Sequence, residues 1–390
     1  MVFLKKYWPL ILAPILVLLA VRIVGSMDYH HNDNDFFTFW LAGHLVAQDG
    51  SPYDTAQWVA GYHQFAIGFI PNPAFLYPLP LALLLVPLGM LPLYSAYIIW
   101  VTLTQLMIIA SLVILLSLET YPRARLFFVP LLAGIVLFRP TILTLTQGQV
   151  SGLFLFVLVW ITYLWQKGQW FRGGLLLGLL ALKPNLGFIV ILLLAAWLLL
   201  QKRWRAILGI FVSTIFILIA GLIYDPGWVI QYWHVGGNKL AETFGGSPTV
   251  WGLGALISHN QTSVTMIIGG LTGLFILIGF FRAILIPRDT LPVLNLLALA
   301  VTVTLLITPY TWTYDQVLLI LPITAVILSM DRKRLPFPLT ASIFLGIDVL
   351  VVFLLIFDVL LQVEILNVVV PLVVFGLCLW GLARGAPAES

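Results

Sequence analysis

The sequence predicts an all-α protein that crosses a membrane many times, and three observations carry that expectation. Apolar runs of about 20 residues recur along the chain. Its 390 residues are 61% hydrophobic and only 9% charged, whereas a soluble domain is nearer half apolar and a quarter charged. The basic residues sit in short clusters between the runs, and threading the runs to put those clusters on one side gathers the polar, Pro/Gly-punctuated segments on the other. The net charge of +4 is modest, and its clustering suits membrane orientation rather than nucleic-acid binding. Cys378 is the only cysteine, so no internal disulfide forms.

Lys5 and Lys6 precede an apolar run from Trp8 to Gly25. Arg22 interrupts that run and no clean small-x-small site follows, so it reads as a retained helix rather than a cleaved signal. Crossings are then expected at 8–25, 93–117, 126–145, 150–166, 170–183, 184–200, 206–223, 263–281, 290–308, 314–330, 336–358 and 362–382, about twelve in all. The segment 79–91 is apolar but short and flanked by Pro78, Pro80, Pro87 and Pro92, so it reads as non-spanning or re-entrant. Lys5/Lys6, Arg123/Arg125, Lys167/Arg172, Lys202/Arg203/Arg205, Arg282/Arg288, Arg332/Lys333/Arg334 and Arg384 are expected in the cytoplasm. Residues 1–390 are thus read as a single multi-pass domain of a cell membrane, with both termini cytoplasmic.

The outer face carries a first loop at 26–78, a second at 225–262, and turns at "TQGQVSG" (146–152), "LKPNLG" (182–187) and "TPYTWTYDQ" (308–316). Loops presented by a rigid scaffold carry function, so this is the expected working face. In 35–48 the residues Phe36, Phe37, Trp40, Leu41, His44 and Leu45 recur at helical spacing, which predicts an amphipathic helix at the lipid interface. Gly50-Ser51-Pro52 ends it, and "DTAQ" (54–57) opens another helix as a capping box.

The stretches "DFFTFWLAGHLVAQDGSPYD" (35–54), "NPAFLYPLPLALLLVPLGMLP" (72–92), "GQVSGLFLFVLVW" (148–160), "GGLLLGLLALKPNLGFIVILL" (173–193), "HNQTS" (259–263) and "TPYTWTYDQVLLILP" (308–322) occur in an order that resembles glycosyltransferase family 87 of the GT-C superfamily. That family includes polyprenyl-phosphate-mannose-dependent mannosyltransferases. The resemblance implies the GT-C fold with outer-face loop helices and an inverting transfer of a hexose, mannose foremost. The donor would be a polyprenyl-phosphate sugar and the acceptor a lipid-linked or cell-envelope glycan, with the bilayer as a further partner. No nucleic acid or cofactor enters, because the lipid-phosphate sugar is a co-substrate. Several relatives carry a histidine just after the tryptophan of the 308–316 segment; Tyr314 and Asp315 follow Trp312 here.

Such a transfer needs a base for the acceptor hydroxyl, cations for the departing phosphate, and a dry pocket. The resemblance puts the catalytic carboxylate at Asp35, although an aspartate at a helix start is also an ordinary N-cap. Asp33 and Asp54 are expected to support it; Asp54 also fits a cap, with Gln57 three residues on. Lys183, in "LKPN", is the first phosphate candidate and Arg139 the second, about 9 Å inside its helix end. A snorkelling lysine is the competing account of Lys183. Gln147, Gln149, Asn185, Asn260 and Gln261 would meet sugar hydroxyls, Tyr310 and Trp312 a pyranose face, and Asp315 the acceptor or one of the cations. Zinc-ligand spacing is absent; a divalent ion on Asp33, Asp35 and Asp315 is the alternative, and the family resemblance argues against it, so no metal is expected. The rival reading is a secondary transporter using Asp348, Asp358 and Glu364 in the last crossings. The sequence shows no inverted repeat to support it.

Overall fold

A computed structural model describes residues 34–65, 70, 72–119, 122–285 and 291–382, all helix and connection with no strand among them. The expected crossing at 8–25, and Asp33, lie outside the described residues. The chain opens with α1 (Asp35–Ala47), α2 (Thr55–Gln64), α3 (Leu79–Gly89) and α4 (Leu93–Ser117). Then follow α5 (Phe128–Leu137), α6 (Arg139–Thr146), α7 (Ser151–Gln166), α8 (Trp170–Leu179), α9 (Pro184–Leu200) and α10 (Trp204–Tyr224). The last part holds α11 (Trp228–Thr243), α12 (Val250–Ile257), α13 (Thr262–Leu285), α14 (Val293–Ile307), α15 (Ile320–Arg332, led by a 3-10 turn Thr313–Leu319), α16 (Phe337–Leu361) and α17 (Val369–Leu382).

Among the described residues five helical segments are long and apolar enough to cross a membrane alone, or six if one bent pair counts as a span. Six further apolar helices have 10–17 residues, at most about 26 Å at 1.5 Å per residue, against a hydrocarbon core of about 30 Å. The helices fall where crossings were expected, but length alone supports about half of the dozen. The expected crossing 126–145 is two helices, α5 and α6, bent by 59° at Phe138. Pro140 lacks the N–H that would continue the ladder, and Phe138 is extended at the break. The segment 79–91 is the short helix α3, as its prolines imply.

Two helices form the centre. Every residue of α14 from Leu294 to Leu306 is buried, and so is α15 from Ile320 to Asp331. Helices α10, α13 and α16 instead expose large apolar side chains such as Phe216, Phe275 and Val359. This is the pattern of a bundle whose outer helices meet lipid. Close backbone approach tightens the bundle: a Cβ on Gly174 would lie 2.1 Å from the Ala206 carbonyl oxygen, locking α8 to α10.

Helix α1 is not the interfacial helix its aromatics suggested. Phe36 through Gly43 are all buried. Phe37 meets Tyr62 of α2 edge-on at 4.8 Å, and the Trp40 indole donates to the Leu91 carbonyl at 3.0 Å. A Cβ on Gly89 would lie 2.3 Å from the Gly43 backbone, so α1 and α3 touch main chain to main chain. Protein, not lipid, covers the aromatic face.

Candidate active site

Two proline breaks and one glycine turn bring the polar residues together. Lys183 precedes Pro184, which bars it from the α region; its extended backbone (φ −128°, ψ 83°) separates α8 from α9. The 147–149 turn between α6 and α7 needs φ +61° at Gly148, and a Cβ there would lie 2.6 Å from Phe36. Only glycine lets this turn press against the start of α1. The contact is fixed by backbone: Phe36 N–H donates to the Gln147 carbonyl at 2.9 Å. From the other side, Trp100 donates to the Gly148 carbonyl at 2.7 Å and the Tyr97 hydroxyl to the Thr146 carbonyl at 2.7 Å.

Asp35 is the first residue of α1, but its carboxylate is not the cap. Asn34 caps the helix, its side chain accepting from Phe37 N–H at 3.2 Å. The Asp35 carboxylate instead accepts from the Gln149 amide at 2.5 Å. The carbonyl of that amide accepts from the Lys183 ammonium at 3.2 Å. Lys183 also donates to the Ser151 hydroxyl at 3.0 Å and to Asp315 at 2.6 Å, and Ser151 donates to the same Asp315 oxygen at 2.5 Å. The second Asp315 oxygen accepts from the Thr311 hydroxyl at 2.9 Å and the Trp312 N–H at 3.3 Å. A continuous relay thus runs from Asp35 through Gln149 and Lys183 to Asp315.

The two carboxylates differ in access. Asp315 is fully buried and holds four protein donors. Asp35 is only partly buried, at the start of α1. Burial raises its proton affinity above that of an ordinary aspartate; the Gln149 hydrogen bond and the Lys183 charge oppose the rise, and Asp315 adds to it. Tyr77 stands near Asp35 and Tyr310 near Asp315, and burial holds both hydroxyls above the usual phenol range. They remain protonated donors at neutral pH.

Lys183 is 1% exposed, and its ammonium has three hydrogens for three protein acceptors. Its ring neighbour is Tyr314, 5.3 Å from Nζ. Arg139 stands apart, paired with Asp358 at 2.7 Å while its side chain keeps 17% exposure. Asp358 also accepts from Asn367 at 2.8 Å, Asn367 donates to Thr313 at 3.0 Å, and Glu364 accepts from the Thr313 hydroxyl at 2.7 Å. This second network reaches the 311–315 segment through Thr313.

The remaining expected residues divide. Asn185 donates to the Tyr310 carbonyl at 3.4 Å and accepts from Thr308, tying the Lys183 break to the 308–312 segment. Gln147 joins α1 through its backbone. Trp312 lies half-buried over Asp315 through its N–H. Asn260 and Gln261 sit exposed at the α12–α13 turn, with Asn260 beside Gly245 rather than beside Lys183. Asp54 is an exposed cap of α2, accepting from Ala56 and Gln57 N–H at 2.8 and 3.1 Å. Ser151, Thr311, Tyr77 and Tyr314 were missed as site residues; the Tyr-Pro pair at 77–78, opening α3, was the available signal for Tyr77. Among the described residues no group of three or more His, Cys, Asp or Glu is placed to hold a metal ion.

An apolar helical bundle with a carboxylate–amide–ammonium relay at its helix ends defines a membrane protein with an enzyme-like polar site. Residues 75–309 match the family model for glycosyltransferase family 87. The match covers more than half of the chain, which therefore belongs to that family and is a membrane glycosyltransferase. It includes Tyr77, Arg139, Gln149 and Lys183, while Asp35 and Asp315 flank it. No curated relative and no solved structure matches the chain.

Proposed function

We propose that this glycosyltransferase has the GT-C architecture and moves a hexose, mannose foremost, from a polyprenyl-phosphate donor to a lipid-linked or cell-envelope acceptor. The basic clusters between helices favour a site on the outer face of a cell membrane, with both termini inside. One observation carries the chemical reading: a partly buried carboxylate of raised basicity is held by an amide that a buried ion pair immobilises.

Asp35 takes the proton from the acceptor hydroxyl. The freed oxygen attacks the anomeric carbon on the face opposite the phosphate, that carbon's bond to the phosphate oxygen breaks, and polyprenyl phosphate departs, inverting the centre. Asp315, fully buried and four-fold hydrogen-bonded, does not reach an acceptor. Lys183 positions Gln149 and Asp315, since its hydrogens are already engaged. Arg139 is the better phosphate ligand, because a guanidinium has five N–H groups and Asp358 takes one through Nη1. Tyr77 and Tyr310 add neutral donors for phosphate or sugar oxygens. The transporter reading keeps only Asp348, which is buried in α16 with neither oxygen hydrogen-bonded; Asp358 and Glu364 are held by Arg139, Asn367 and Thr313.

The experiment is Asp35→Asn assayed with a polyprenyl-phosphate mannose, following released polyprenyl phosphate and glycosylated lipid by mass spectrometry. Asn34 remains as the cap, so the fold stays intact, while removal of a general base lowers turnover by about 10²–10⁴-fold. A folded variant of undiminished activity removes Asp35 from the mechanism. A wild-type protein that releases no polyprenyl phosphate from any such donor refutes the donor class.

A further inference from the structure

No aspartate or glutamate occurs between Glu119 and Asp225. Two connections within that stretch nevertheless carry five cations, Lys167 and Arg172 flanking the start of α8 and Lys202, Arg203 and Arg205 flanking the start of α10. All five are exposed. The fold joins them into one patch. Gly174 packs on Ala206 and Gly178 on Ile210, so α8 and α10 run side by side in the same direction and begin on the same side. Gly209, lacking a Cβ, rests on the Phe171 carbonyl, which brings the two connections into main-chain contact. Among the described residues no carboxylate pairs with any of the five. The positive potential of the patch is therefore uncompensated by protein and draws an anion.

One cation is held in a fixed orientation. The Arg203 guanidinium lies over the Trp170 ring, 4.2 Å from its centroid. Trp170 is backed in turn by the buried Trp165 and Trp197, with ring centroids 5.7 and 6.3 Å away. Stacking occupies the face of a guanidinium and leaves its N–H edges for an acceptor.

The occupant must also be apolar. Trp204, Leu208, Phe211 and Ile215 lead away from the same cations along one face of α10, at helical spacing. They are 62, 56, 60 and 51% exposed, on a helix long and apolar enough to cross a membrane. A soluble anion gains nothing from that face, whereas acyl chains lie along it. The patch is also distinct from the relay: Lys183 stands beyond the far end of α8, about 20 Å from Trp170 at 1.5 Å per residue.

We infer that the patch and the face below it bind an anionic phospholipid, its phosphate on Arg203 and the neighbouring cations and its acyl chains along Trp204 to Ile215. This lipid is neither donor nor acceptor, and its site stands whether or not Asp35 is the base.

The test is a cross-link. Protein with p-benzoylphenylalanine in place of Trp204 is irradiated in nanodiscs of equimolar phosphatidylglycerol and phosphatidylcholine with matched chains, and the attached lipid is identified by mass spectrometry. Phosphatidylglycerol should dominate. The same reporter in place of Phe275, on the lipid-facing side of α13, should show no preference. Each cation beside an anionic headgroup is worth roughly fivefold in affinity, so Arg203→Gln with Arg205→Gln should lower the ratio at position 204 by up to about 25-fold. Lys202→Asn with Arg172→Gln serves if the first pair folds poorly. Equal cross-linking of the two lipids at 204, the same preference at 275, or a ratio untouched by neutralisation overturns the site and leaves the cations as a signal of membrane orientation alone. Inorganic tripolyphosphate at matched ionic strength should not displace the lipid; full displacement would make the occupant a soluble polyanion.

Discussion

Lys183–Asp315 and Arg139–Asp358 are both buried ion pairs that touch the 311–315 segment, yet they are built to opposite ends. The first is closed: side-chain exposures are 1% and 0%, and every ammonium hydrogen has an acceptor. The second is open: Arg139 keeps 17% exposure, and one Asp358 oxygen lacks a hydrogen-bond partner. A saturated cation fixes geometry. A cation with hydrogens to spare binds something else. Here the fully buried lysine is therefore the wrong place to look for phosphate contact, and the partly exposed arginine is the better one.

The largest effect that can break this contrast is on folding. Lys183→Ala leaves Asp315 charged and unpaired in the interior, a change that costs about 3–5 kcal/mol. Thermal unfolding in detergent should show a clear loss of stability, with little folded enzyme left to assay. A Lys183→Ala protein of normal stability but raised donor KM would mean that Lys183 is a phosphate ligand after all.

Arg139→Ala comes next. Combined with Asp358→Asn it leaves no uncompensated carboxylate in the interior, so the fold survives, but a charge-assisted phosphate contact of about 1.5–3 kcal/mol disappears. Donor kcat/KM should fall roughly tenfold to hundredfold, with acceptor KM unchanged. Unaltered donor kinetics would leave both pairs structural and erase the distinction.

The smallest effect sharpens the link between the closed pair and catalysis. Asp35 must be ionised to act as a base. Its folded pKa is raised by burial, and the Gln149 hydrogen bond holds it down against that rise. Gln149→Leu removes the restraint, so the acid limb of kcat/KM should move to higher pH. The same sign holds for stability: ionising Asp35 costs folding free energy as pH rises through its raised pKa, and the variant should lose that stability at a higher pH than wild type. An acid limb that stays in place would separate Gln149 from Asp35.

Much of this architecture was legible because proline and glycine act locally. The Lys183-Pro184 break, the Gly148 turn and the short α3 follow from residues within a few positions of each other. What escaped was everything that depends on a partner far along the chain. Phe36, Phe37 and Trp40 are apolar whether lipid or protein covers them, and the choice was made by Gly43 and Gly89, whose missing side chains let α3 occupy the place assigned to lipid. Lys183 looked available because its acceptors, 32 to 132 residues away, are not neighbours in sequence. Ser151 reads as an ordinary helix start, and only the fold shows it relaying between a lysine and an aspartate. The bend at Phe138 was readable from Pro140, yet a continuous apolar run concealed it.

The spacing of the closed pair also has a bearing on biosynthesis. Lys183 emerges from the ribosome 132 residues before Asp315, an interval of roughly 7–26 s at ordinary translation rates of about 5–20 residues per second. Throughout that interval the nascent chain carries an ammonium group near the membrane without the carboxylate it pairs with directly. Gln149 and Ser151, synthesised earlier, are the groups able to shelter it until the carboxylate arrives. A truncation before Thr311 would remove that partner permanently.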